Sequence, residues 1–182
     1  MDPTPRSASS WGHDLQQALG GYFTARSRGL LASEFALLGP DGREFGRLRL
    51  RGFSAAEFES RDHSAALEAS GVGYRMIASY PTGEEILTAA QRERATGEIQ
   101  LSCSGRAYGA RVSLFRNLAV ASYPDGEKAV RLSGGLIGRS YGATFVAEDG
   151  CALPAAVFLL WYLAANRRRA YRLGFPTGGG AT

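Results

Sequence analysis

Between Leu30 and Val146, apolar and polar residues alternate with a period of two in a series of short runs. Arg47 to Arg51 shows this most clearly, with Leu48 and Leu50 on one face and Arg47, Arg49 and Arg51 on the other. Ile99 to Ser104 repeats it, with the apolar residues at odd positions. Such a period marks a strand with one face buried and one face in water. Ala56 to Glu59, Tyr74 to Ala78, Arg111 to Leu114, Val130 to Leu132 and Thr144 to Val146 read the same way, each followed by turn residues. Roughly ten to twelve strands, paired antiparallel through hairpins, are expected.

The turns echo one another. Gly39-Pro40-Asp41-Gly42-Arg43-Glu44, Tyr80-Pro81-Thr82-Gly83-Glu84 and Tyr123-Pro124-Asp125-Gly126-Glu127 share Pro-x-Gly and a following Glu, at intervals of 41 and 43 residues. Proline presets the first turn dihedral and glycine accepts a positive one, so each is expected to be a tight hairpin. Glu148-Asp149-Gly150 is a weaker fourth copy.

The period then disappears. Cys151 to Ala165 is an unbroken apolar run with no polar face. A helix apolar all round must be buried, and at about 1.5 Å per residue this one is short of the roughly 30 Å of a bilayer core. A core helix over residues 153–166 is expected, with Pro154 in its first turn and Asp149 just ahead of it. Asn166 and the cations Arg167, Arg168 and Arg169 are expected to close it, with Tyr171 and Phe175 folding back. Before the strands, residues 1–21 read as a disordered start with a short helical turn from Trp11 to Leu19, ended by Gly20-Gly21. The Gly-rich 173–182 reads as a disordered tail, leaving 22–172 as one domain.

Strands first and a buried helix last have a geometric solution. A barrel of about twelve strands is about 24 Å across, too wide for its own side chains to fill, whereas about eight strands is the self-filling size. A helix of about 10 to 12 Å fits down its axis and must then be apolar on every side. The expected fold is therefore all-β, a closed antiparallel barrel of about twelve strands enclosing a hydrophobic C-terminal helix. Two rivals are a β-trefoil, suggested by the turn intervals, and a small sheet with Cys151 to Ala165 as a tail anchor.

This layout resembles the Tubby-like superfamily, which includes Tubby C-terminal domains, the phospholipid scramblases and the LURP-one-related proteins. The serial strands, the closing Phe145-Val146-Ala147-Glu148-Asp149-Gly150 and the hydrophobic helix directly after it carry the likeness. It spans roughly residues 22–172 and is nearest in size to the LURP-one-related type. The resemblance implies a twelve-stranded barrel threaded by its last helix. It also implies a non-enzymatic role in binding an anionic ligand such as a phospholipid head group. The cysteine-rich and proline-rich segments of scramblases have no counterpart here.

Composition adds limits. The formal net charge of +4 permits an anionic partner, but the only run of basic residues is Arg167 to Arg169. Lys128 is the only lysine, and the preference for Arg, Ala and Gly reads as coding bias before chemistry. Cys103 and Cys151 show neither metal spacing nor a disulfide framework and read as buried thiols. No apolar leader opens the chain, so a cytoplasmic protein is expected, peripheral at a membrane where lipid is the ligand.

The candidate ligand-binding residues are Arg47, Arg49 and Arg51, about 7 Å apart on one strand face, and Arg167, Arg168 and Arg169. The competing reading pairs the strand row with Glu57 and Glu59 next door and spends the second group on the helix end. Catalytic and metal signatures are thin. Asp62-His63-Ser64 points to alternate faces, and His13 and His63 are far apart with no cysteine cluster. Gly71-Val72-Gly73 and Gly134-Gly135-Leu136-Ile137-Gly138 precede no helix, so they read as bends or bulges of a curved sheet. No cofactor, no nucleic acid and no transmembrane segment are expected. The partners expected are an anionic phospholipid surface or a protein. A purely structural or protein-interaction module and an enzyme with a site hidden from sequence stand as the alternatives.

Overall fold

The computed structural model describes residues 11–29, 32–71, 73–80, 83–93 and 97–173. The expectations for residues 1–10, Phe175 and the Gly-rich end lie outside them. Twelve strands run in sequence: β1 (Tyr22–Arg28), β2 (Glu34–Leu38), β3 (Glu44–Arg51), β4 (Ala55–Ser60), β5 (Ser64–Ser70) and β6 (Gly73–Tyr80), followed by β7 (Glu85–Glu93), β8 (Glu98–Cys103), β9 (Arg106–Ser113), β10 (Leu118–Ser122), β11 (Lys128–Gly134) and β12 (Ser140–Phe145). Each pairs antiparallel with its sequence neighbour, and β1 returns to β12 to close the barrel, with Tyr22 opposite Thr144 and Arg26 opposite Ser140. Gly21 makes this closure feasible: its φ is +84°, and a Cβ there would lie 2.5 Å from the Phe145 carbonyl oxygen.

The alternation decides which face is inside. On β3, Leu48 and Leu50 point inward and the arginines outward, and on β8, Ile99, Leu101 and Cys103 take the inner face. Ala25, Ala56, Ala65, Ala78, Ala89, Ala110, Ala119, Ala121 and Ala143 are also buried in strands. The abundance of alanine therefore has a structural use, since short inner side chains leave room on the axis.

That room is filled by α2 (Ala152–Arg172), in which every residue from Ala152 to Ala165 is buried. The trefoil and the tail anchor are excluded by this closed barrel and its enclosed helix. No helix is long and apolar enough to cross a membrane, among the described residues. On one side of α2 the rings of Phe158, Trp161 and Tyr162 pack around Tyr74 with centroids 6.0, 5.7 and 5.3 Å away, mostly edge to face.

One sequence expectation is corrected. The plug helix does not close at Asn166; it continues through the arginines to Arg172, because arginine is a good helix former and Arg167 and Arg169 find partners along the last turns. Of the bends or bulges expected at the glycine-rich segments, the structure has the bends, and they are hairpin connections. Gly71 and Gly138 have φ of +57° and +66° in the β5–β6 and β11–β12 links, while register shifts fall elsewhere, as at Leu37/Leu38 and Met76/Ile77. Two of the echoed turns match: β2–β3 and β10–β11 have the same paired bonds, Gly39 N to Arg43 O and Tyr123 N to Glu127 O, both 2.8 Å, while Pro81 and Thr82 of the third lie outside the described residues.

A short helix, α1 (His13–Leu19), lies under the barrel end where α2 begins. Trp11 stacks edge-on to Phe58 and His63 there, and Gly20 caps the helix as its position in the sequence suggests.

Candidate anion-binding end of the barrel

In an up-and-down barrel, the connections after odd-numbered strands share one end and those after even-numbered strands share the other. The second end, where α2 starts, is acidic: its connections and α1 carry Asp14, Asp41, Asp62, Glu84, Asp125, Glu127, Glu148 and Asp149. At the first end, where α2 leaves, no Asp or Glu occurs among the described residues of the six odd-to-even links or in residues 167–173. Arg116, Arg139, Arg167, Arg168, Arg169 and Arg172 are there instead. The nearest described carboxylate side chains belong to strand ends, with Glu34 bonded to Arg49 and Glu98 to Arg111.

Apolar exposure follows the same polarity. Six large hydrophobic residues are exposed among the described ones, and five of them (Phe115, Leu136, Ile137, Tyr171 and Leu173) lie at the helix-exit end. Leu136 and Ile137, at the tip of the β11–β12 hairpin, are 90% and 75% exposed. This hairpin is held from behind. Buried Asn117 donates from Nδ2 to the Gly135 carbonyl at 2.7 Å, and a Cβ on Gly134 would meet that amide nitrogen at 2.0 Å.

The six arginines singled out by sequence fare differently. Arg47 bonds Glu44 at 2.7 Å, Arg49 bonds Glu34 at 3.0 Å and reaches Glu59, and Arg51 bonds Glu57 at 2.8 Å. Hydrogen bonding and attraction to Glu44 and Glu57 raise the pKa of Arg47 and Arg51. This row is a neutralised, solvated face, with Glu57 and Glu59 partners as the competing reading has it. Arg167 is buried and donates to the carbonyls of Leu114 (2.5 Å) and Leu136 (2.9 Å), clamping two links to the helix. Arg169 and Arg172 stand over the Phe53 ring at 5.4 and 5.2 Å. Arg168 has no carboxylate partner among the described residues. Burial, then repulsion from Arg172, lowers its pKa.

Arg168 opens onto a cleft of about 380 Å³ between β2, the β11–β12 hairpin and the end of α2. Its lining includes Phe35, Ile137, Tyr141, Ala164, Arg139, Arg167, Arg168 and Arg172. Nη1 of Arg168 and Nε of Arg167 are buried without a partner among the described residues. Burial pushes the Tyr141 phenol up to about 12.

At the acidic end the converging titratable groups serve the plug. Asp149, buried, accepts bonds from Tyr108 Oη (2.7 Å), Tyr123 Oη (2.8 Å), Arg106 Nη1 (2.8 Å) and the Cys151 amide (3.1 Å). Burial and the bond to Asp149 push both phenols up, so they stay protonated donors. Cys151 donates its thiol to the Cys103 carbonyl at 3.2 Å, and the Cys103 thiol is pushed up by its bond with Cys151 and by burial. No metal-ligating cluster is found among the described residues.

Fold and geometry together define a closed twelve-stranded antiparallel barrel plugged by its own last helix and electrically polarised along its axis. A solved structure of a protein from Arabidopsis thaliana is similar to it, with a TM-score of 0.53, 86% of this chain and 94% of that chain covered, and 9% identity. At that identity the likeness shows a shared fold alone. No family model and no curated protein matches the chain.

Proposed function

We propose that the protein is a non-enzymatic binding module of the Tubby-like, LURP-one-related kind that docks on an anionic phospholipid surface by its helix-exit end. The observation that carries this reading is the coincidence at one end, among the described residues, of five exposed large apolar residues with six arginines and no connecting carboxylate. Arginines near an anionic bilayer contribute about 1 kcal/mol each. Burying the Leu136 and Ile137 side chains adds up to about 1.5–3 kcal/mol each. The acidic opposite end sets orientation, because a negative surface repels it. The titratable cluster at Asp149 supports a binding role over a catalytic one, since its members are committed to bonds around the helix start.

Cosedimentation tests the reading. The full chain is expected to pellet with vesicles of phosphatidylcholine mixed with phosphatidylserine and to stay in solution with phosphatidylcholine alone, the difference shrinking as salt screens the charges. Equal pelleting with both, or with neither, contradicts it.

A further inference from the structure

The cleft beside Arg168 has features that flat contact with a membrane does not use. It is concave, lies within the size range of small-molecule sites and is lined mainly by apolar atoms, yet Arg168 on its wall has no partner among the described residues and Arg167 beside it keeps an unpartnered Nε. Arg167 is 2% exposed, and its Nε would lie 3.4 Å from a Cβ on Gly138, another lining residue, which places it at the cleft wall. Its remaining nitrogens are occupied by the Leu114 and Leu136 carbonyls and the Tyr171 hydroxyl. No carboxylate lines the cleft among the described residues. Arg168 is half-buried and has no acceptor among the described residues, an anion in the cleft supplies one, and a guanidinium fork matches a carboxylate.

We propose that this cleft binds one amphiphilic anion, a single hydrocarbon chain ending in a carboxylate, with Arg168 and Arg172 on the carboxylate and Phe35, Ile137 and Ala164 against the chain. At roughly 30 Å³ per water-sized group, 380 Å³ holds about a dozen non-hydrogen atoms, the size of decanoate. The ligand is taken up as a single molecule. The proposal deepens the membrane reading by naming a ligand for the same end, but it stands on the unpartnered arginine nitrogens, not on the exposed hairpin.

Calorimetric titration of the full chain with decanoate below its micelle concentration, without vesicles, tests it. Saturable binding of one decanoate per chain is expected, with none for decanol, which lacks the charge, or for inorganic phosphate, which lacks the chain. Arg168→Gln is expected to weaken decanoate binding at least 10-fold while leaving Tm unchanged or higher, because it removes a half-buried charge that is repelled by Arg172 and has no acceptor among the described residues. A merely structural Arg168 gives the opposite pattern, a lower Tm with decanoate still bound. That result, the absence of decanoate binding, or equal binding of decanol overturns the proposal. Vesicle binding separates the two readings: Phe115→Ser/Leu136→Ser removes apolar contacts outside the cleft, so loss of docking with decanoate binding intact leaves this proposal standing.

Discussion

Gln16, in the short helix before the first strand, accepts the Leu153 amide at 3.1 Å in the first turn of the plug, 137 residues later. Its Nε2 reaches back to the carbonyls of Ala147 (2.8 Å) and Asp149 (2.5 Å). One buried amide side chain thus caps the central helix and ties the chain's beginning to its end.

Gln16→Ala is expected to cost about 1–3 kcal/mol, since it leaves an amide and two carbonyls in a buried place without partners. Urea unfolding reads this directly, and a change within about 0.5 kcal/mol, the size of an ordinary surface substitution, contradicts the capping role.

Asp149→Asn keeps the shape but removes the charge that Arg106, Tyr108 and Tyr123 all address, and it sets an NH₂ against at least one existing donor. A loss of roughly 1.5–3 kcal/mol is expected, because hydrogen bonds to charged groups lie in that range. Urea midpoints of the variant and the parent protein check it.

Alkali is expected to weaken the fold from a defined point. Tyr141 and Tyr162 are each raised to about 12 and Tyr108 is also raised, all three chiefly by burial. Unfolded tyrosine ionises near pH 10, so the stabilisation from these phenols is complete below about pH 10 and is lost as pH rises through the folded values, by up to about 1.4 kcal/mol per unit for each group. Urea midpoints that are flat to about pH 10 and fall beyond it, with tyrosinate absorbance from these rings appearing only on unfolding, are the expected result. Tyrosinate signal from all the rings in the folded protein contradicts it.

Ending the chain after Gly150 removes the plug and is expected to abolish cooperative unfolding, because a barrel lined by Ala25, Ala119 and Ala143 cannot fill itself. Phe158→Ala is the milder form, with an expected loss of about 3–5 kcal/mol. A truncated chain that keeps a sharp thermal transition contradicts the plug's role.

The barrel and its plug were legible because both signals are local. Alternation in Arg47 to Arg51 is visible within five residues, and an apolar run such as Cys151 to Ala165 declares its burial by having no polar face. The helix end was misplaced because Arg167 finds its partners on two hairpin links, contacts that no local pattern contains. Gln16, and the Arg106, Tyr108 and Tyr123 partners of Asp149, were missed for the same reason. The arginine row on β3 was prominent in sequence yet is neutralised by Glu34, Glu44 and Glu57 across register pairs and turns. The polarised ends had a readable signal: once twelve strands are counted, alternate links fall at alternate ends, so Phe115, Leu136 and Ile137 sort away from Asp41, Asp62 and Asp125.

Vesicle cosedimentation of two variants tests the central claim most directly. Phe115→Ser/Leu136→Ser alters only the helix-exit links, and Arg47→Ala/Arg49→Ala/Arg51→Ala alters only the barrel wall. Docking by the helix-exit end predicts that the first variant loses most binding to phosphatidylserine-containing vesicles while the second binds like the parent protein. The reverse order, with the wall variant lost and the link variant unchanged, contradicts it.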